Sequence, residues 1–217
     1  MLDIAYALLA GLAVTLQITF GAALLATAIA LGAGLARLSQ SRLLRASALV
    51  YVEVFRGTSA LVQLFWFYFV LPHFGVRLPA MTVGIVVLAL NTGAYGAEVV
   101  RGAIQAIPRG QLEAATALNF TRRQRMTRVI LPQAFPAMLP PAGNLAIELL
   151  KNTALVSLVT VTDLTFRAQI LRAETLQTEA IFGTVLLMYF AVALAITGGV
   201  RLLERAAAAG RDAPQAR

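Results

Sequence analysis

Three acid–base pairs with the same spacing are the residues of this chain best suited to chemistry. In each pair a glutamate precedes a basic residue by three positions, as in Glu53/Arg56, Glu98/Arg101 and Glu148/Lys151. That spacing places both charges on one face of an α-helix. The chain has one histidine, His73, and no cysteine. A multi-histidine metal site and a cysteine nucleophile are therefore excluded, and we predict neither a metal site nor a catalytic residue.

The composition indicates that these charges belong to an integral membrane protein. Of the 217 residues, 59% are hydrophobic and 13% are charged, whereas about 25% of a soluble domain is charged. The apolar residues form long uncharged runs, and a run of about 20 can span a bilayer as a helix. We predict an all-α protein with a single transmembrane domain over 1–217. Its five spans are expected near 10–36, 50–72, 78–100, 134–161 and 179–203.

The ends of the chain are expected to differ from its spans. The first uncharged run is too long for one perpendicular helix and too short for two spans with a turn. We therefore expect a tilted first span, with residues 1–9 lying in the membrane interface. Residues 206–217 are expected to form a flexible tail.

The distribution of the basic residues predicts how the chain crosses the membrane. A net charge of +8 would suggest nucleic acid in a soluble protein, but here the arginines crowd the segments after the first, third and fifth spans. The segments after the second and fourth spans carry only Arg77, Arg167 and Arg172. Positively charged segments stay on the cytoplasmic side. We therefore predict an external N-terminus, a cytoplasmic C-terminus, membrane lipid as a partner and no nucleic acid.

The loop over 104–131 is predicted to hold a short pair of cytoplasmic helices between spans three and four. Asn119 can adopt the left-handed conformation that ends a first helix. Thr121 and Gln124 have the spacing of a capping box, which begins a second helix. Pro132 is expected to end that second helix.

A polar stripe is predicted in the fourth span, where charges are costly and functional by default. Asn144, Glu148, Lys151 and Asn152 fall on one helical face, which we expect to point into the helix bundle. The stripe either lines a solute path or locks helices together. The path is favoured because a zwitterionic solute needs both a donor and an acceptor.

Asn91, within the third span, is a second candidate for the solute path. The alternative is a helix–helix hydrogen bond worth about 1 kcal/mol or less. For Glu53/Arg56 and Glu98/Arg101 we expect local ion pairs at the cytoplasmic ends of spans, with side chains reaching the interface.

The sequence of the cytoplasmic loop resembles the EAA signature of bacterial ABC importer permeases. The matching residues are Glu113-Ala114-Ala115, Leu118-Asn119 and Ile130-Leu131-Pro132-Gln133. Flanking segments, such as Phe55-Arg56-Gly57-Thr58 and Lys151-Asn152-Thr153-Ala154-Leu155, are similar to the polar amino acid (His/Glu/Gln/Arg/opine) branch. The likeness covers roughly residues 11–205. Residues 58–60, 118–119 and 147–149 look most like permeases for ectoine and hydroxyectoine.

Three positions depart from the family pattern, and one of them is Ser59, which follows Arg-Gly-Thr where the family often has proline. Asn119 replaces the glycine of the signature, and asparagine is the next best tolerated residue in a left-handed turn. Asn152 stands where the family frequently has aspartate, which removes a negative charge from the middle of the membrane and puts a carried-over preference for cations in doubt.

The resemblance implies a multi-subunit importer. It assigns contact with an ATP-binding subunit to residues of the helix pair, namely Glu113, Ala114, Ala115, Asn119, Arg122 and Arg123. The arginines could instead only contact lipid headgroups. It further implies a second permease, identical or related, and an extracytoplasmic solute-binding protein, all at the bacterial inner membrane.

No cofactor is expected in this chain, because the resemblance assigns ATP and Mg to the partner ATPase. The only lysine, Lys151, lies between Leu150 and Asn152, so a Walker A loop is absent from the sequence. We therefore predict a transport subunit that is not itself an enzyme. The alternatives are a channel or ion-driven carrier without an ATPase, and an intramembrane protease, for which the spans lack the residues.

Overall fold

The computed structural model describes residues 2–209, and the side chains of 4–207. The described part of the chain is helical throughout, and its long helices lie side by side in one bundle. The α-helices are α1 (Leu2–Arg37), α2 (Arg42–Gly57), α3 (Ala60–Phe65), α4 (Ala80–Gln105), α5 (Arg109–Ala117), α6 (Arg122–Gln124), α7 (Leu131–Asn152), α8 (Leu164–Thr175) and α9 (Thr178–Ala209).

Helix α1 is continuous from Leu2 to Arg37, so the described residues 2–9 extend the first helix, and their location in the membrane interface stays a prediction. Leu8 is fully buried in an apolar cluster with Leu164 and Ala168 of α8 and Ile181 of α9. The early residues of α1 thus have a packing surface of their own. Burial of these residues offsets the conformational entropy lost when they are ordered, so the helix continues through them.

The centre of the bundle is the close packing of α1 on α4. A Cβ atom added to Gly96 would come within 2.7 Å of the Cβ of Ala30, and one added to Gly34 would meet the Cβ of Val100 at the same distance. Small residues let the helix backbones approach, which is how helices associate in a membrane.

The predicted continuous span over 50–72 is instead a broken one. Helix α2 ends at Gly57, and the helical segment that follows, Ala60–Phe74, turns from it by 104°. Thr58 and Ser59 have extended backbones at the break. The segment starts as α3 and continues as a π-helix over Trp66–Val70 and a 3-10 turn.

Buried amides stabilise this break. The last carbonyls of α2 have no helical donor beyond Gly57, and the side chain Nε2 of Gln63 donates to the oxygen of Phe55 at 2.9 Å and to the Oγ1 of Thr58 at 2.7 Å. Asn91 of α4 donates to the same Phe55 oxygen at 3.0 Å. The apolar run predicted a single helix over 50–72, because a run of residue types does not show that Asn91, far along the chain, donates to a carbonyl at the break.

The second helix of the cytoplasmic pair does not end at Pro132, contrary to expectation. Helix α6 continues through a π-helix over Arg125–Ile130 directly into α7. The amide of Leu131 donates to the oxygen of Met126, five residues back. Pro132 stands in the first turn of α7, just after the π-helix. Proline carries no amide hydrogen, and this is the position in a helix where none is needed.

Helix α7 passes into a 3-10 helix over Thr153–Val159, and α8 starts beyond a left-handed residue, Thr160. Asp163 caps α8 by accepting from the amides of Thr165 and Phe166. Helix α9 then runs to Ala209. Residues 206–209 of the predicted tail are therefore helical, and the rest of that prediction lies outside the described residues.

Three helices are long and apolar enough to cross a membrane, namely those over Ile4–Arg37, Ala80–Gln105 and Thr178–Ala207. Two bent helix pairs also pass the same test, Arg42–Gly57 with Ala60–Phe74 and Arg122–Val159 with Leu164–Thr175. The described chain thus has three candidate spans, or up to five if each bent pair is counted as one.

Candidate functional site: a short helix pair and an exposed polar face

Helix α5 holds the EAA residues and ends as the sequence predicts. Asn119 has φ 56°. The amide of Phe120 donates to the oxygen of Ala115 and that of Asn119 to the oxygen of Thr116. These two bonds form a Schellman motif, which satisfies the last carbonyls of the helix.

The two alanines of the EAA sequence lie on different faces. Ala115 is 3% exposed, so the expectation that it helps to form the docking surface is wrong. Glu113 and Ala114 are exposed, and Leu118 is 68% exposed at the end of the helix. Leu112 packs against a buried cluster that includes Ile104, which seats α5 on the bundle. The free surface is therefore the one with Glu113, Ala114 and Leu118.

The second helix of the pair begins with the predicted capping box. Thr121 accepts from the amide of Gln124, and the Gln124 side chain accepts from the amide of Thr121. Arg122 donates to the side chain of Gln40, in the connection between α1 and α2. Arg123, its neighbour, is exposed. The sequence indicated no link between the helix pair and the α1–α2 connection.

The polar stripe of α7 faces away from the bundle, so the prediction that it points inwards is wrong. Asn144, Glu148 and Lys151 are exposed and Asn152 is half-buried. The inner face of the same helix carries Leu149 and Leu150, both fully buried, and Gly143, where an added Cβ would meet Val200 of α9 at 2.8 Å. Apolar and small residues fill the interior, so the charged face is left for contacts beyond this chain.

Glu148 and Lys151 do not pair with each other. Within the described residues, ion pairs join Glu98 to Arg37 and to Arg101, and neither member of the α7 pair takes part in one. Two opposite charges on adjacent turns thus stay available to another group.

Glu98 lies in an interhelical cluster that the sequence revealed only in part. Its carboxylate contacts the guanidinium of Arg101 at 2.7 Å, as the spacing predicts, and also that of Arg37 at 2.9 Å. Arg37 ends α1, so this second contact ties α1 to α4. Arg101 also donates to the side chain of Gln105 at 2.6 Å.

Glu53 and Arg56 differ from their prediction in both pairing and position. Helix α2 begins at Arg42 rather than near 50, so both residues lie towards its broken end and not at its start, where the prediction placed them. They form no ion pair among the described residues. The guanidinium of Arg56 lies over the ring of Tyr95, with 5.3 Å between its Cζ atom and the ring centroid.

Asn91 lies where it can form a helix–helix hydrogen bond, the predicted alternative to a place in the solute path. It is 6% exposed. Its Nδ2 donates both to the Phe55 oxygen and to the Oε1 of Gln63, at 3.0 and 3.2 Å. Because both amide hydrogens are used within the chain, the geometry favours an architectural role for Asn91 over contact with a solute.

A bundle of long apolar helices with a helix pair seated on one end defines a helical integral membrane protein. Residues 26–208 match the family described as "Binding-protein-dependent transport system inner membrane component". The chain belongs to this family. It is therefore a permease subunit of an ABC transporter in the inner membrane, and the subunit that hydrolyses ATP is a partner. The alternative of a channel or carrier without an ATPase is not favoured.

Individual relatives agree with this family. The chain is 47% identical to "Probable amino-acid ABC transporter permease protein y4tF" of Sinorhizobium fredii, over 88% of this chain and 83% of the relative. It is 35% identical to "L-cystine transport system permease protein TcyB" of Bacillus subtilis, over 90% and 84%. A solved structure, "Crystal structure of an amino acid ABC transporter with histidines", superposes with a TM-score of 0.87 at 37% identity, over 94% of this chain and 96% of that one.

Proposed function

We propose that this chain is one of two permease subunits, identical or related, of an ATP-driven importer for a polar amino acid or an amino-acid-like compatible solute. Relatives named for amino-acid and L-cystine transport support the class of solute. The observation that carries the proposal is the exposed, unpaired stripe of Asn144, Glu148 and Lys151 on a helix of a membrane protein.

In this proposal the stripe, with Asn152 beside it, lines the solute path between the two permeases. Unpaired charges facing lipid are costly, and a water-filled path removes that cost. Opening the path alternately to the two sides of the membrane moves the solute. Asn91 supports the path from behind through its contact with the α2–α3 break.

The chain crosses the membrane five times in this proposal, with its N-terminus outside and its C-terminus in the cytoplasm. Each bent helix pair then forms one span. The arrangement puts α5 and α6 on the cytoplasmic side, where an ATPase is available. A solute-binding protein delivers the solute on the opposite side.

Coupling to ATP hydrolysis is assigned to the exposed surface of the helix pair. Glu113 and Ala114 offer a small contact surface on α5, and Arg123 offers an unshielded charge on α6. Asn119 sets the angle between the helices through its left-handed turn. Arg122 connects the pair to Gln40 and so to α1 and α2, while Ala115 seats α5 from below. ATP and Mg bind to the partner, and this chain needs no cofactor of its own.

Ectoine and hydroxyectoine are the compatible solutes we propose within this class, from the resemblance at residues 58–60, 118–119 and 147–149. The deciding measurement is the ATPase activity of the assembled complex of this permease, its neighbouring ATPase and its binding protein. Ectoine, hydroxyectoine and a panel of polar amino acids are added in turn. We expect one solute class to stimulate hydrolysis. Failure of the permease to associate with any ATPase would overturn the proposed function.

A further inference from the structure

Arg56 is an exposed cation near the broken end of α2. It lies about 21 Å along α2 from Arg42, where that helix begins. Its neighbour Tyr95 lies about 15 Å from Gln105, the last residue of α4. In the five-span arrangement proposed above, both distances put the guanidinium within the apolar thickness of the membrane, beside the break between α2 and α3.

A guanidinium at this depth needs a partner, because charges within a membrane are costly and mark functional sites by default. The ring of Tyr95 provides one contact. Glu98 is within electrostatic range, but its carboxylate already pairs with Arg37 and Arg101. Among the described residues no carboxylate pairs with Arg56, so its guanidinium is available to another group.

The contact with Tyr95 leaves the most specific part of Arg56 available. A cation–π contact uses the charge of a guanidinium, whereas its five N–H donors remain in its plane for hydrogen bonds. These donors match a carboxylate in a two-bond fork. The hydroxyl of Tyr95 also donates to the backbone oxygen of Arg56, at 3.4 Å, so one residue holds both the backbone and the side chain.

Glu53 supplies the opposite charge one turn earlier on α2. It is exposed, and it takes part in no ion pair within the described chain. An anion and a cation on the same helical face are complementary to a solute that carries a carboxylate and a cationic nitrogen. Amino acids and ectoine share these two groups.

We infer that Arg56, positioned over Tyr95 at the break between α2 and α3, binds the carboxylate of the transported solute. Glu53 faces the cationic nitrogen of the same solute. This inference rests on the proposed function, and it adds a binding site on α2 to the polar stripe on α7. It holds for an amino acid and for ectoine alike, since the recognised group is the carboxylate.

The test is direct binding to the assembled permease–ATPase complex without its binding protein, which would itself select solutes. Titration calorimetry compares L-glutamine, L-histidine and ectoine with their primary carboxamides, in which the carboxylate is neutralised. For the solute that stimulates the wild-type ATPase, we expect Arg56→Gln to weaken binding at least tenfold. A lost hydrogen bond to a charged group corresponds to about that factor. Binding of the carboxamide should change less than twofold.

Two further variants separate recognition from folding. Arg56→Lys keeps the charge but loses the fork, so an intermediate loss is expected. Arg45→Gln, an exposed arginine near the start of the same helix, is the matched control and should bind both ligands as the wild type does. Should Arg56→Gln fail to assemble, Arg56→Lys and the wild-type preference for carboxylate over carboxamide decide the question.

Other outcomes overturn the inference. Equal weakening of carboxylate and carboxamide binding, together with loss of association between the permeases, would make Arg56 a subunit contact. An unchanged preference for the carboxylate in Arg56→Gln would remove Arg56 from recognition. If the wild-type complex hydrolyses ATP in response to solute, either of these two results overturns the role of Arg56 but leaves the proposed function intact. A wild-type chain that binds no ATPase refutes the function itself.

Discussion

Glu98/Arg101 on α4 and Glu148/Lys151 on α7 share residue types and spacing, but only the first pair forms a contact. Around Glu98 a second cation, Arg37, approaches from α1, and the side chains of Glu98 and Arg37 are 20% and 15% exposed. Around Glu148 the described residues offer no charged partner, because α7 turns this face outwards. The difference teaches that the surroundings of a pair, here a cation from a second helix, matter as well as its spacing along one helix.

The two arrangements also suit different roles. A carboxylate held by two arginines from two helices is committed to joining those helices. An exposed acid and base without partners can bind a passing group and release it. Glu53/Arg56 belongs with the second kind, although Tyr95 orders its arginine.

The largest effect on stability is expected at the paired site. Glu98→Gln removes the carboxylate between Arg37 and Arg101 and leaves two partly buried cations facing each other. We expect a loss of about 2 kcal/mol in the free energy of unfolding, in the range for hydrogen bonds to charged groups. Thermal or denaturant unfolding of the purified permease measures it. An unchanged stability would mean that the cluster does not join α1 to α4.

The unpaired site should respond in the opposite way. Glu148→Gln is expected to change the free energy of unfolding by less than about 0.5 kcal/mol, as for surface positions, because no partner is lost. Solute uptake by the assembled transporter should fall about tenfold, which equals about 1.4 kcal/mol. Glu174→Gln, at an exposed acid on α8, is the control. A destabilised Glu148→Gln with normal uptake would reverse the contrast between the two sites.

The smallest effect separates the two partners of Glu98. Arg101→Gln removes only the partner on the same helix, and pairs at this spacing contribute about 0.2–0.5 kcal/mol. Arg37→Gln removes the partner from α1 and should cost more, because that contact joins two helices. Unfolding of both variants under identical conditions gives the comparison. A larger loss in Arg101→Gln would show that the local pair is the stronger one.

Local patterns predicted the end of the first helix of the α5–α6 pair and the start of the second, though not where the second ends. Asn119 in the left-handed turn and the capping box of Thr121 with Gln124 both appear in the structure. Each depends on residues only a few positions apart, so the sequence contains the whole cause. The break after α2 is stabilised by Gln63 and also by Asn91, far along the chain, and a local pattern could not reveal this second donor.

By itself, the sequence determined that this protein is a helical membrane protein of the permease family, and which charges share a helical face. Composition and period are sufficient for the membrane class and for the shared faces, because apolar length and helical spacing are local properties, whereas the family rests on the likeness of the EAA segment. Only the tertiary structure decided the direction of each face, since a helix can turn its polar stripe inwards or outwards without changing its own hydrogen bonds. The packing of Gly143, Leu149 and Leu150 turned the polar face of α7 outwards. The contact with Arg37 of α1 made Glu98 part of an interhelical cluster.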